Sequence, residues 1–308
     1  MTILYTHPSS LAHQTPAGHP ERPDRIRAIA KALAEPEFAA LKRESPPEAD
    51  VAAITRVHPP EYVEAMRAAV PKEGLARIDA DTALSSGSWE PILRAAGGAV
   101  AAVDAVVAGK AKNAFVAMRP PGHHAEIATP MGFCFFNNAA IAARHAQVAH
   151  GLGRVAIVDF DVHHGNGSQE IFWSDARVMY CSTHEMPLYP GTGARSERGA
   201  HDNVVNAPLA AGNGGPEFRA VFESIILPRL EVFAPELIVV SAGFDAHVRD
   251  PLANLNLIEA DYAWVTEKLM GLAERHAHER IVSVLEGGYD LQALAGSVAV
   301  HVGALMRA

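Results

Sequence analysis

The sequence predicts an α/β fold: a parallel sheet with helices on both faces. Two observations lead there. Short apolar, partly β-branched runs alternate with helical stretches along the whole chain, the signature of repeated strand–loop–helix units. Four of those runs end abruptly in polar, glycine-bearing sequences: RPPGHH (119–124), DFDVHHGNG (159–167), SAGFDAH (241–247) and LEGGY (285–289). In open α/β sheets ligands bind beyond the carboxyl ends of the strands, so these four ends should meet at one edge of the sheet. No linker, low-complexity tract or internal repeat interrupts the 308 residues, and residues 1–308 read as a single domain.

The elements follow in order. Ile3 to Tyr5 is a first strand. A helix with Ile26, Ile29, Ala30 and Leu33 on one face follows a proline-rich start. Residues 35–50 are polar and proline-punctuated, a surface connection. Ala53 to Val57, before His58 and two prolines, reads as a strand end, and Glu61 to Val70 as a modest helix. Residues 79–87 read as a loop. A long Ala-rich helix runs from Ser88 to about Val107 and stops at Gly109. Ala114 to Met118 is a strand. A helix starts near Asn137 and Asn138 and stops at Gly151, and Val155 to Val158 is the next strand. Val178 to Ser182 is a strand, and a Gly/Pro-rich loop passes through Tyr189 to Gly193. Glu217 to Phe233 is helical with a bend at Pro228. Leu237 to Ser241 is a buried strand, Glu259 to His276 an amphipathic helix, Ile281 to Leu285 the last strand. Asp290 can cap the closing helix.

Composition excludes several classes. The chain is 49% hydrophobic and 20% charged, enough for a large core, with a formal net charge of −9. Lys and Arg are scattered, so no nucleic-acid-binding stripe is expected. No apolar run approaches a membrane span and the N-terminus lacks a signal-peptide layout, so no membrane association is expected and the expected compartment is cytoplasmic. The two cysteines, Cys134 and Cys181, fit a reducing environment.

The polar strand ends carry the chemistry. Asp161 and His163 stand two apart, and in extended chain such residues point the same way. With Asp245 they supply two carboxylates and an imidazole, a three-ligand set of the kind that leaves a catalytic metal an open position. Asp245 could equally cap a helix, and the carboxylate-rich set would also suit divalent ions other than zinc. His123 and His124 follow a rigid Pro-Pro-Gly turn. One of them can take a proton from a metal-activated water and return it to a leaving amine, provided a partner fixes its tautomer. Asp159 and Asn166 are the candidate partners. Tyr289 follows two glycines, and its hydroxyl suits a developing oxyanion. Gly132, Phe133 and Tyr189 could line an apolar tunnel toward the metal.

Five segments in this order, RPPGHHAE, GFCFFNNAA, DFDVHHGNG, GFDAH and EGGYD, closely resemble the histone deacetylase and acetylpolyamine amidohydrolase superfamily. HPERPDRIRAI (19–29) is similar to its class II branch. The resemblance implies the arginase–deacetylase fold, with an eight-stranded parallel sheet between helices. It implies Zn2+ on Asp161, His163 and Asp245, His124 as main general base and acid, His123 as electrostatic partner and proton donor oriented by Asp159, and Tyr289 polarising the acyl carbonyl. It also implies a K+ ion near the zinc, at Asp159, Asp161, His163, Ser182 and Thr183, and Leu252 at the tunnel rim. Asn166, the partner of His124, is the class II form where class I members carry Asp.

The expected activity is zinc-dependent removal of acetyl or other acyl groups from N6-acetyl-lysine-like substrates. The rival with the same chemistry is hydrolysis of acetylpolyamines or another small amide. A non-catalytic acyl-ligand-binding protein and an arginase-like dimanganese enzyme fit less well, since RPPGHH stands where the latter needs a Gly-Gly-Asp-His turn. The expected partner is an acylated amine, and a homo-oligomer is expected because related bacterial proteins often assemble.

Overall fold

The computed structural model describes residues 1–307. In chain order the strands are β1 (Thr2–Tyr5), β2 (Lys42–Glu44), β3 (Leu75–Arg77), β4 (Ala83–Ser85), β5 (Asn113–Val116), β6 (Val155–Asp159), β7 (Val178–Glu185), β8 (Val204–Leu209), β9 (Leu237–Ala242) and β10 (Ile281–Leu285). The helices are α1 (Asp24–Ala32), α2 (Val51–Ile54), α3 (Pro60–Ala69), α4 (Trp89–Val107), α5 (Asn138–His150), α6 (Asn166–Phe172), α7 (Gly215–Val221), α8 (Leu227–Phe233), α9 (Glu259–His276) and α10 (Leu291–Met306). Eight strands form one sheet in the order β2-β1-β5-β10-β9-β6-β7-β8, and every pairing in it is parallel. The expected eight-stranded parallel sheet is present. β3 and β4 form a separate antiparallel pair.

The central strands are buried on both faces, which is why they read as unbroken apolar runs. Alternation still sorts their side chains. Val155 and Ile157 join a core under α3, α4 and α5, while Ala156 and Val158 join a second core under α1, α9 and α10. Helix ends follow the signals in the sequence. Asn137 accepts a hydrogen bond from the Ala140 N–H, and Gly151 closes α5 at φ 69°. Asp290 caps α10 by accepting from the Ala293 N–H at 2.8 Å.

The structure differs from expectation at several elements. Ala53 to Val57 is not a strand end. Asp50 accepts the Ala52 N–H at 3.0 Å and starts the short helix α2, so the cap outweighs the apolar run. The polar connection after α1 contains the edge strand β2, and the expected loop after β3 contains β4. The bend expected at Pro228 begins earlier: a π-helical turn, Phe222–Ile226, separates α7 from α8, and Pro228 lies in the first turn of α8. Proline has no N–H to extend the preceding ladder, which fits a break at this point. Among the described residues no helix is long and apolar enough to cross a membrane.

Candidate active site

The four strands with polar ends are β5, β10, β9 and β6, and they are consecutive in the sheet. Their carboxyl ends therefore open at one place. β6 stops at Asp159, and residues 160–165 turn back across the sheet edge. Asp161 and His163 do converge, but through this turn and not through strand alternation. The His163 N–H donates to Oδ1 of Asp161 at 2.9 Å, and its Nδ1 lies 3.2 Å from the same oxygen. The same Nδ1 lies 3.2 Å from Oδ2 of Asp245, which follows β9.

Asp161, His163 and Asp245 are buried, and one donor atom from each lies within 4.8 Å of the others. Burial alone would lower the pKa of His163. The hydrogen bonds and charges of the two carboxylates outweigh burial and lift it to about 10. Burial and the charge of Asp161 push Asp245 up to about 7. Both shifts are upward and reflect crowded negative charge, which marks a place that calls for positive charge. Two glycines make the approach possible. A Cβ on Gly243 would sit 2.1 Å from Oδ2 of Asp161, and one on Gly287 would sit 2.0 Å from Oδ2 of Asp245. The Gly287 N–H also donates to Oδ2 of Asp161 at 2.8 Å. Two oxygen donors and one nitrogen, all buried and aimed inward, fit a divalent metal ion.

A second cluster of ligand-type residues, Asp104, His145 and His150, lies between α4 and α5. Nε2 of each histidine is 2.7 Å from Oδ1 of Asp104. Nδ1 of His145, however, is 2.8 Å from the guanidinium of Arg56. Arginine can only donate, so Nδ1 accepts and Nε2 carries the proton that Asp104 receives. This cluster is a hydrogen-bonded clasp between two helices.

The adjacent histidines do not diverge. Their ring centroids are 4.0 Å apart because the loop that carries them is pinned on several sides. The N–H groups of Gly122 and His123 donate to Oε2 of Glu286 at 2.7 and 3.1 Å, and the His123 carbonyl accepts from the Ser168 N–H. Burial pushes the Glu286 carboxyl up to about 7. Nδ1 of His123 meets Oδ2 of Asp159 at 3.0 Å, and Nδ1 of His124 meets Oδ1 of Asn166 at 2.8 Å. Burial would lower His123, but the charges of Asp159, Asp161 and Glu286 raise it well above the ordinary histidine value. Burial, helped by the positive fields of His123 and His163, holds His124 well below it.

His124 and His163 open into a cavity of about 250 Å³. Gly132, Phe133, Tyr189, Leu252 and Tyr289, all expected at the tunnel or the oxyanion, line it. Phe133 holds a positive φ of 69° beside Gly132, and its ring packs nearly perpendicular to that of Tyr289 with the centroids 5.9 Å apart. A non-glycine residue in that region marks local strain of the kind that collects at ligand sites. Asp159 and Ser182 are register partners across β6 and β7, with Thr183 next along β7.

Comparison with known proteins agrees with this geometry. A profile described as the histone deacetylase domain matches residues 19–305. The chain belongs to the histone deacetylase family. A histone deacetylase-like amidohydrolase of Pseudomonas aeruginosa is 41% identical over 280 residues, 89% of this chain and 73% of that protein. A probable deacetylase of Archaeoglobus fulgidus is 39% identical over 298 residues, 95% and 82% of the two chains. The crystal structure of the HDA15 HD domain superposes with a TM-score of 0.94 at 35% identity, covering 99% of this chain and 89% of that one. The fold is thus the arginase–deacetylase fold, in a family of hydrolases that are generally metal-dependent.

Within that family setting, sequence reasoning missed several residues that shape the site. Asp81 and Leu188 line the cavity; Asp81 sat in an apparently featureless loop. Oδ2 of Asp250 receives the Tyr289 N–H at 2.7 Å. Arg25 lies with its guanidinium 4.9 Å from the centroid of the Tyr289 ring. His164 bonds to Thr192 and Gln169. Nε2 of His247 lies 3.5 Å from Oε2 of Glu259.

Proposed function

We propose that this protein is a zinc-dependent amidohydrolase that removes acetyl groups from N6-acetyl-lysine-like substrates, acting as one catalytic domain over residues 1–308. The observation that carries the proposal is that His163, clustered with Asp161 and Asp245, lines one cavity together with His124 and Tyr289. Asp161, His163 and Asp245 would hold the metal. When bound, it supplies Lewis acidity toward an acyl oxygen and brings the pKa of a water near neutrality.

The protein's own groups divide the remaining work. Asn166 accepts from Nδ1–H of His124, which leaves Nε2 free to take a proton from the attacking water. The lowered basicity of His124 keeps that nitrogen unprotonated near neutral pH. His123, held charged by Asp159, places a positive field beside the reacting centre and can serve as proton donor to the departing amine. Tyr289, its phenol pushed well above the ordinary value by burial, stays protonated and donates its hydroxyl to the developing oxyanion. Phe133 and Tyr189 flank the substrate's apolar stem and exclude water, and Leu252 forms the rim. A K+ ion at Asp159, Asp161, His163, Ser182 and Thr183 would offset the burial of the two carboxylates.

A second reading, hydrolysis of an acetylated polyamine, is favoured by Asp81, whose carboxylate lies at the cavity and would attract further amines on the substrate. Parallel turnover of an acetyl-lysine peptide and N-acetylputrescine by the zinc-loaded protein separates the two. Preference for the peptide supports the first reading, and preference for the diamine replaces it.

A further inference from the structure

Glu21, Arg25 and Arg119 are fully buried, yet none lines the cavity or enters the chemistry above. Buried charges are costly unless paired and hydrogen-bonded, and these pairings form a definite pattern. Arg119, the residue that opens the histidine loop, makes a forked contact with Glu21, its Nη2 lying 2.6 Å from Oε2. The other arm of Arg119 donates to the carbonyls of Ser10 and His13 at 2.7 and 3.2 Å. Arg25 reaches Oε1 of the same Glu21 at 3.3 Å. Its remaining donors go to the tyrosine loop, to the carbonyl of Gly288 at 2.7 Å and that of Glu286 at 2.5 Å. The Glu286 side chain then returns to the histidine loop through the N–H groups of Gly122 and His123.

The contacts close a ring: Arg119, Glu21, Arg25, the backbone of residues 286–288, the Glu286 carboxylate, and back to Gly122 and His123. Glu21 is the only member of the ring touched by both arginines. Arg25 also sits over the Tyr289 ring, so a displaced guanidinium would move both the backbone and the ring of that tyrosine. The tyrosine and histidine loops leave adjacent strands, but the acyl group must fit between them, and small errors in their separation cost rate steeply.

We propose that Glu21 is a positioning residue that keeps Tyr289 in register with the histidine loop by joining Arg25 to Arg119. The inference rests on the hydrolase reading for its kinetic arm but not for its structural arm.

The test uses the full chain loaded with zinc and an acetyl-lysine peptide. Glu21→Gln keeps the shape and removes the charge. Its kcat should fall about tenfold or more, with KM within about twofold and zinc content unchanged. The same substitution in a Tyr289→Phe background should cost less than about threefold, since residues acting through one group are not additive. Hydrogen exchange should quicken together in residues 120–124 and 286–290. Equal kcat losses in both backgrounds, or exchange changes confined to residues 19–27, would overturn the proposal. If Glu21→Gln does not fold, Arg25→Lys, which keeps the charge but cannot bridge Glu21 and the carbonyls of residues 286 and 288 at once, is read in the same two ways. If the wild type hydrolyses nothing, the hydrolase reading fails, and hydrogen exchange alone decides whether the two loops are coupled.

Discussion

His124 and Asn166 meet at 2.8 Å, Nδ1 to Oδ1, so the partner of this histidine is a neutral amide. One residue earlier, His123 has the carboxylate of Asp159 in the same place. Burial pulls both imidazoles down; at His123 the charges of Asp159, Asp161 and Glu286 overcome it and the ring moves upward, whereas at His124 burial prevails and the ring moves downward. Splitting a pair in this way lets one ring hold a charge while its neighbour remains a base.

Replacing Asn166 by Asp should undo the difference. A carboxylate favours the protonated ring, so the pKa of His124 rises. The base must be neutral to work, so the acid limb of kcat/KM against pH should move to higher pH. An acid limb left where it stands in the wild type would show that His124 is not the base.

Tyr289→Phe removes one hydroxyl from the cavity wall. An oxyanion donor of this kind is worth roughly 3–4 kcal/mol, so turnover should fall about a hundredfold or more. Zinc content and the thermal unfolding midpoint should remain those of the wild type. Near-normal turnover would remove Tyr289 from the chemistry.

Metal occupancy should respond to the ligands and to the glycine behind them. Asp161→Ala and Asp245→Ala should each lower bound zinc, measured by elemental analysis, from about one per chain to near none. Gly287→Ala places a methyl group against both carboxylates and should weaken zinc retention against a chelator. Stoichiometric zinc in both aspartate variants would mean that the ion sits elsewhere.

Acid should destabilise the fold within the histidine range. Burial lowers His13, His58 and His184 to about 4, and His164 and His301 to about 3, from an ordinary value of 6.5. The unfolded chain protonates these rings before the native state does. Their contribution is therefore complete above about pH 6.5 and is lost as pH falls toward 4, by up to about 1.4 kcal/mol per pH unit for each ring. Urea unfolding at pH 7.5, 6 and 5 reads this loss directly. A stability that stays flat down to pH 5 would contradict it.

Much of this was legible in the chain, for identifiable reasons. β6, β9 and β10 announced themselves because strands buried on both faces have no polar side to blur the pattern. β2 and β8 did not. Lys42–Glu44 is a charged edge strand, and Val204–Leu209 carries Asn206 and Pro208. The residues at Asp161, His163, Asp245, His124 and Tyr289 stood out because polar groups at strand ends are unusual. Glu21, Arg25 and Arg119 were invisible as a group. Partners such as Glu21 and Arg119 lie 98 positions apart, and charged residues beside a helix start read most simply as surface. Asp81 was hidden likewise, since only the folded chain brings it to the cavity.

The most direct measurement is turnover of an acetyl-lysine peptide by metal-depleted protein, by the same protein after one equivalent of zinc, and by zinc-loaded Tyr289→Phe. The expected result is no release of acetate without metal, full activity on adding zinc, and a loss of about a hundredfold in the variant. Equal activity with and without zinc, or zinc bound at Asp161, His163 and Asp245 with no hydrolysis of any acylated amine, would contradict the proposed function.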